Sequence, residues 1–493
     1  MSLSGHTKSI REIWVETIDK FANIYAREPG SEKYWDPRVE TAPLAELRRI
    51  QEEKLKVLIR YAYETSPFYH RKMRECGVRP DDVKGVEDLN KLPIVYKQDW
   101  MLDQQENPPF GSIHSITFEE WSKAGWLLYT TSGTTARPRA FMQTYHDMEA
   151  FSYIDARCLW GMGVRPGRDV VINCFGYGPF SGFWTYHYGV QYKMRIPVIP
   201  TGGMSSERRV FFIKEYRPTV LNCTASYALY LAEVAKREGA DPAESSIRLT
   251  THAGEIGAGV ISTKKRIEES WGALCGDYAG ATESFSWPLF WDCEEEIVRS
   301  SEENRTPYEH MSVDFYVPEI LDPETLEPVG PGERGILVAT NLMCEAYPVV
   351  RYALGDFVIL GDPDFSCECG RTLPVSVGGM LGRSDDMIKV RGILIHPAAI
   401  EDVIRSFRDV GNEYQVVVTR SEKGLDELIV IVEARENIGE SAWNEIRERL
   451  SIEIEKALGL RAIVSVKPPS TLPRSEFKAR RIKDERAVQG KDT

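Results

Sequence analysis

Between residues 124 and 270, short apolar runs alternate with helical segments, and this alternation constrains the fold more than any other feature. The runs are 168–174 (RDVVINC), 195–199 (RIPVI) and 219–223 (TVLNC), and the helical candidates include 145–161 and 226–238. Such alternation predicts α/β layers with a largely parallel sheet. Upstream, Leu44, Leu47, Ile50, Leu55, Leu58 and Ala62 recur near helical spacing, so a helix is expected over 43–66, stopped by Ser66-Pro67. Residues before about 40 show no clear period. Downstream, 312–360 reads as antiparallel β, because VDFYVPEIL and ILVATN flank the turn-rich DPETLEPVGPGERG. After about 385 the pattern changes to strand 415–419, strand 427–433, helix 441–457 and strand 462–467, a compact α+β unit of domain size. The expected division is a large N-terminal domain over 1–384 and a small C-terminal domain over 385–493.

A chain of 493 residues can build large cores without disulfides or metals. Its 74 acidic and 61 basic side chains leave a formal charge of −13, which excludes a protein whose work is coating nucleic acid. Nine cysteines, an odd number, and a first segment without the charged-then-apolar pattern of a secretion signal imply reduced thiols and a cytoplasmic location. The stretch 170–192 carries no Asp, Glu, Lys or Arg and is long enough to span a bilayer. It also holds four glycines, a proline and polar Asn, Ser, Thr, His and Gln. A helix there would break near Gly178-Pro179, and its polar groups would lack water in lipid. It is expected to be a strand, an aromatic loop and the start of a helix, with no role in a membrane.

The strongest local motif is Tyr129-Thr130-Thr131-Ser132-Gly133-Thr134-Thr135-Ala136-Arg137-Pro138-Arg139. Hydroxyls of Thr131, Ser132, Thr134 and Thr135 surround Gly133, and such a loop can wrap phosphate oxygens; it can equally be a plain turn between strands. It is not a Walker loop, since G-x-x-x-x-G-K-[ST] is absent. Further on come Gly280-Ala281-Thr282-Glu283, the run RYALGD (351–356), LGRSDDMIKVRG (381–392) and LPRSEFKARR (472–481).

In this order these motifs resemble the acyl-adenylate-forming superfamily, over about residues 43–483. The segments TSPFYHRKMRECGVRPDDV (65–83), CECGRTLP (367–374) and LPRSEFKARRI (472–482) are most similar to the phenylacetate–CoA ligase group. The resemblance implies a large α/β domain with a β-barrel portion and a small mobile C-terminal lid. It implies ATP, Mg²⁺ and coenzyme A as reactants in an AMP-forming ligation of an aryl or arylacetic acid, with no nucleic-acid partner. By this likeness Thr131, Ser132, Gly133, Thr134 and Thr135 grip phosphates, Thr282 donates to the α-phosphate and Glu283 holds Mg²⁺. Gly254, Glu255, Ile256, Asp277, Tyr278, Ala279 and Gly280 line the adenine slot, while Asp356 and Arg383 clamp the ribose. Lys478 bridges the carboxylate and phosphate. Asp385 is the hinge of the lid, and Gly392 lines the pantetheine tunnel. Phe175, Tyr177, Phe180, Phe183 and Trp184 fall where the family builds its acyl pocket. Cys293, His310, Cys367 and Cys369 stand where some relatives hold structural zinc, Zn²⁺.

Three positions depart from the family pattern: Ala136-Arg137 replaces Gly-Lys, Ala279 takes the place of an aromatic with Tyr278 before it, and Phe477 replaces a glycine beside Lys478. Delivery of the acyl group to a carrier-protein thiol or an amine remains open, as do a homodimeric state and a zinc-stabilised nucleotide-binding regulator. Residues 461–493 carry nine Lys/Arg against four Asp/Glu, so a basic segment bearing Lys478 contrasts with an acidic body and offers local charge to polyanionic ATP and coenzyme A.

Overall fold

A computed structural model describes residues 8–131, 138–284, 288–384, 387–391, 393–420, 425–474 and 481–486. The chain forms two compact units. The first comprises residues up to 202, 278–296 and 308–379; the second comprises 203–277, 297–307 and 380 onward.

The first unit opens with a helix, Ile10–Phe21, where no period was expected. Ser9 accepts from the Glu12 N–H and the Glu12 carboxylate closes the box on the Ser9 N–H. Only Trp14, Ile18 and Phe21 are buried, so the apolar stripe is too thin to stand out; Trp14 stacks on Tyr61 at 5.3 Å. Tyr61 belongs to the helix Leu44–Thr65, which ends at Ser66 as the sequence predicts. The helix Tyr145–Gly161 starts from a Thr144–Asp147 capping box and is buried on nearly every face. After it, the strands Val171–Asn173 and Val198–Pro200 pair in parallel. Between these strands the charge-free stretch forms a helix, Ser181–His187, that runs into a π-helical turn, Tyr188–Lys193. None of the described helices is long and apolar enough to cross a membrane.

The β-rich portion of this unit is antiparallel, as its turn chemistry predicts. Its strand order is Tyr316–Leu321, Arg334–Asn341, Val349–Leu360, Val375–Val377, Tyr308–Met311 and Phe290–Trp291. Arg157 and Asp314 meet beneath it in a fully buried pair with two 2.8 Å bonds.

In the second unit, strands Val220–Cys223, Leu249–His252 and Leu274–Ala279 pair in parallel, with helices Ala225–Arg237 and Ile261–Trp271 between them. Its C-terminal part is a four-stranded sheet built on Val410–Arg420 and Asp426–Ala434, with Ile463–Lys467 and Ile482–Asp484 outside them. Ile400, Ile404, Val416, Val430, Ile446, Leu450 and Ile454 form the core beneath that sheet. Arg266, on the helix Ile261–Trp271, plugs the C-terminal end of the helix Pro397–Ser406. Its guanidinium donates to the carbonyls of Arg405 (2.6 Å), Phe407 (2.5 Å) and Gly411 (3.1 Å).

Candidate adenylating site

Thr282 and Glu283 sit on a single 3₁₀ turn, Thr282–Ser284, beyond the strand Leu274–Ala279. The Ser181 hydroxyl donates toward Thr282 Oγ1 at 3.4 Å, and Tyr347 donates to the Thr282 carbonyl at 3.3 Å. The Glu283 carboxylate pairs with Arg139, whose other Nη donates to the Tyr352 hydroxyl at 2.8 Å. Both charged groups are largely buried, with side-chain exposures of 7% and 14%. Burial works against the Arg139 charge, but Glu283 and Tyr352 outweigh it and hold its pKa above the ordinary value. Tyr352 in turn stacks on Trp100 at 4.2 Å.

Arg139 also closes the neck of the hydroxyl-rich loop. Its carbonyl accepts from Thr131 N–H at 3.0 Å, and its own N–H donates to Thr131 Oγ1 at 3.2 Å. One side chain therefore links the loop, the Thr282-Glu283 turn and the RYALGD strand. Sequence reading missed Arg139 as a site residue; its place directly after the hydroxyl-rich loop was the available signal. Ser132, Gly133, Thr134 and Thr135 lie outside the described residues, as do Asp385, Gly392 and Lys478.

Asp356 lies in the strand Val349–Leu360 of the first unit, half-buried, directly after Gly355 at φ +80°. Tyr278 and Ala279 end the strand Leu274–Ala279, Gly280 follows it, and Tyr278 stacks on Tyr186 at 5.8 Å. The second unit carries Gly254, Glu255, Ile256, Asp277 and Arg383. Glu255 accepts from the Ser226 N–H at 2.6 Å, a carboxylate at the first turn of the helix Ala225–Arg237. Gly382, beside Arg383, has φ +107°, and a Cβ there would come within 2.4 Å of the Ile256 side chain, so only glycine fits.

The five aromatic residues converge around the helix Ser181–His187. Phe175 is buried and stacks on Phe183 at 4.5 Å, while Tyr177 meets Trp184 edge-on at 5.1 Å. Phe180 sits edge-on to Phe183 at 6.3 Å, and the Trp184 indole N–H donates to the Gly178 carbonyl at 3.1 Å. Tyr177, Phe180, Phe183 and Trp184 keep part of their surface open. Because Ser181 touches Thr282, this aromatic helix begins at the turn that carries Glu283.

Cys293, His310, Cys367 and Cys369 are all buried, and their donor atoms lie within 4.8 Å of one another. Cys293 Sγ is 3.4 Å from Cys367 Sγ, and Cys369 Sγ is 3.3 Å from His310 Nε2. Backbone N–H groups of Glu296 and Arg371 point at Cys293 and Cys369 sulfurs, each at 3.4 Å. Three thiols and one imidazole at this spacing fit a closed four-ligand metal site, and the N–H···S bonds are the outer contacts such a site uses. The Arg371 guanidinium, paired with Glu40 at 2.7 Å and lying over the Trp291 ring, places a cation beside the thiols.

Residues 47–344 match the AMP-binding enzyme family, and residues 392–486 match the AMP-binding enzyme C-terminal domain. The chain is 35% identical to a phenylacetate–coenzyme A ligase of Thermus thermophilus, over 91% of this chain and 99% of that protein. A 2-hydroxyisobutyryl-CoA ligase, crystallised in its postadenylation state with an acyl-AMP, superimposes with a TM-score of 0.85 at 32% identity, covering 93% of this chain and 94% of that one. The same ligase crystallised with 2-HIB-AMP and CoA in the thioesterification state gives 0.68 at 33% identity, with the same coverage. By these matches, and with the neck of the hydroxyl-rich loop, the Thr282-Glu283 turn and the C-terminal sheet in their expected order, the chain belongs to the AMP-binding, adenylate-forming enzyme superfamily.

Proposed function

We propose that this protein is an AMP-forming acid–CoA ligase that activates an aromatic carboxylic acid as its acyl-adenylate and passes the acyl group to coenzyme A. The observation that carries the aromatic assignment is the cluster of Tyr177, Phe180, Phe183 and Trp184 around the start of a helix whose first residue touches Thr282. A planar apolar acid placed against those rings has its carboxylate at the phosphate-binding end. The likeness to a phenylacetate–coenzyme A ligase supports the same class of acid.

The chemistry joins two anions. A carboxylate oxygen attacks the α-phosphorus and pyrophosphate leaves, so the site has to neutralise charge and hold the groups in line. Thr282 and the loop beyond Thr131 would bind phosphate oxygens, and Lys478 would bridge carboxylate and phosphate. Glu283, which pairs with Arg139, would hold a magnesium ion, and the ion would supply positive charge to the phosphates. Asp356 and Arg383 would hold the ribose, with Gly254–Ile256 and Asp277–Gly280 at the adenine. Asp385 would serve as the hinge of the lid, and Gly392 would let pantetheine approach. The Cys293–His310–Cys367–Cys369 cluster would bind zinc as a structural ion that ties the β-rich portion together.

The test is a panel of benzoic, phenylacetic, hydroxylated and amino-substituted acids, with 2-hydroxyisobutyrate as the aliphatic comparison, scored for CoA-dependent AMP release. An aromatic acid is expected to give the highest kcat/KM. A clear preference for 2-hydroxyisobutyrate over every aromatic acid would overturn the aromatic assignment. AMP release that is equally fast without CoA would overturn the assignment of the acceptor.

A further inference from the structure

One residue of the buried helix Tyr145–Gly161 does not suit an apolar layer. Asp155 is 1% exposed, and its Oδ2 has no hydrogen-bond partner among the described residues. Among the described residues its one side-chain hydrogen bond is with Thr185 and no cation offsets its burial, which holds the carboxyl well above the ordinary carboxylate range. The Tyr129 hydroxyl is a second such atom: the residue is 1% exposed and its oxygen also lacks a partner among the described residues. Burial, then Tyr188 and Asp155, push that phenol's pKa upward. Buried polar atoms are normally satisfied, and leaving two together is costly unless something else completes them.

Their position indicates what completes them. Ser181 and Thr185 lie four residues apart on one helix and therefore share a face. Ser181 meets Thr282 at the reacting end, while Thr185 meets Asp155 about 6 Å further along, at 1.5 Å of rise per residue. That is roughly the span from a benzoic carboxyl to a substituent across the ring. The walls are aromatic: Trp126 packs on Tyr129 at 5.8 Å, on Phe151 at 5.2 Å and on Tyr188 at 5.0 Å. Tyr188 begins the π-helical turn, and Gly189 of that turn presses so closely on Asp155 that a Cβ would come within 2.5 Å. Single π-helical turns recur at functional sites because they re-aim side chains.

We propose that Asp155, Tyr129 and Thr185 form the polar end of the acyl site and select an acid that carries a hydroxyl or amino group remote from its carboxyl. This rests on the aromatic reading above and sharpens it. A phenol donates and accepts, so it suits a hydroxyl, and the unpartnered Asp155 Oδ2 accepts from a hydroxyl or an amino group. Sites built to hydrogen-bond a substrate group discriminate strongly against the analogue that lacks it.

The experiment measures kcat/KM in ATP–pyrophosphate exchange for benzoic, 4-hydroxybenzoic and 4-aminobenzoic acids and their arylacetic counterparts. The unaltered protein is expected to prefer a substituted acid by at least tenfold. Asp155→Val is expected to reduce that ratio tenfold or more, Asp155→Asn to keep part of it, and Tyr129→Phe, which removes one oxygen, to lower it. Equal losses for every acid in Asp155→Val and Tyr129→Phe would assign the cluster a structural role and overturn the proposal. Turnover of aromatic acids without preference for the substituent would overturn it while leaving the aromatic reading intact. Turnover of no aromatic acid would end both.

Discussion

Replacing Arg266 by methionine tests how the C-terminal sheet is held within the second unit. The side chain is buried, and burial followed by the neighbouring Arg405 and Arg435 pushes its pKa down to about 9. Three short bonds to the carbonyls of Arg405, Phe407 and Gly411 work against that cost. At about 1.5–3 kcal/mol for each hydrogen bond to a charged group, they contribute roughly 4.5–9 kcal/mol before desolvation is charged against them. Desolvation takes back several kcal/mol. Methionine keeps most of the apolar stem but leaves three carbonyls unsatisfied, so a net loss of about 2–4 kcal/mol is expected. Lysine retains the charge but cannot fork to three acceptors, and should recover only part. The assay is urea unfolding combined with amide exchange of the helix Pro397–Ser406. At a urea slope of about 1–3 kcal/mol per molar, the midpoint should fall by about 1 M or more, with exchange of that helix accelerating most. A loss below about 0.5 kcal/mol, with exchange unchanged, would refute the view that this plug holds the helix end.

Other perturbations reach the remaining features. Purified, unchelated protein should carry about one zinc per chain, and Cys367→Ser should lose it and lower Tm; a metal-free protein of unchanged Tm would refute the closed Cys₃His site. Arg139→Met should cost about 3–5 kcal/mol by leaving Glu283 buried without its cation. Adding Glu283→Gln should then cost less than the sum of the single changes, and strict additivity would contradict the pairing. Lys54 is fully buried, donating to the Asp314 carbonyl at 2.7 Å, and burial lowers its pKa to about 8. Between pH 8 and about 10.4 the unfolded chain holds a proton that the folded chain has lost, so stability attributable to Lys54 rises with pH across that window. The difference in unfolding free energy between the unaltered protein and Lys54→Met should show that rise; a flat difference would contradict it.

Much of the fold was legible because it is written in periodic patterns. The helix Tyr145–Gly161 and the strands around it lie within a residue or a few of the sequence reading, and the antiparallel portion follows its turn chemistry. The helix Ile10–Phe21 was not legible by period, since three buried residues make a weak stripe. The metal cluster is a matter of topology. His310 reaches the two cysteines at 367 and 369 because strand Tyr308–Met311 pairs with Val375–Val377, setting His310 opposite Val375. The same strand pairs with Phe290–Trp291 on its other side, which delivers Cys293. No local spacing encodes that convergence. Arg139 and Asp155 were hidden for a related reason. Each is a charged residue type that reads as surface until the fold shows that both are buried, the first against Glu283 and the second beneath a π-helical turn.

The central claim, that this chain makes an acyl-adenylate from an aromatic acid, is tested most directly by acid-dependent ATP–pyrophosphate exchange in the absence of CoA. Exchange driven by an aromatic acid, reduced at least a hundredfold in Lys478→Ala, is the predicted result. Exchange that is independent of added acid, or unaffected by Lys478→Ala, would contradict it.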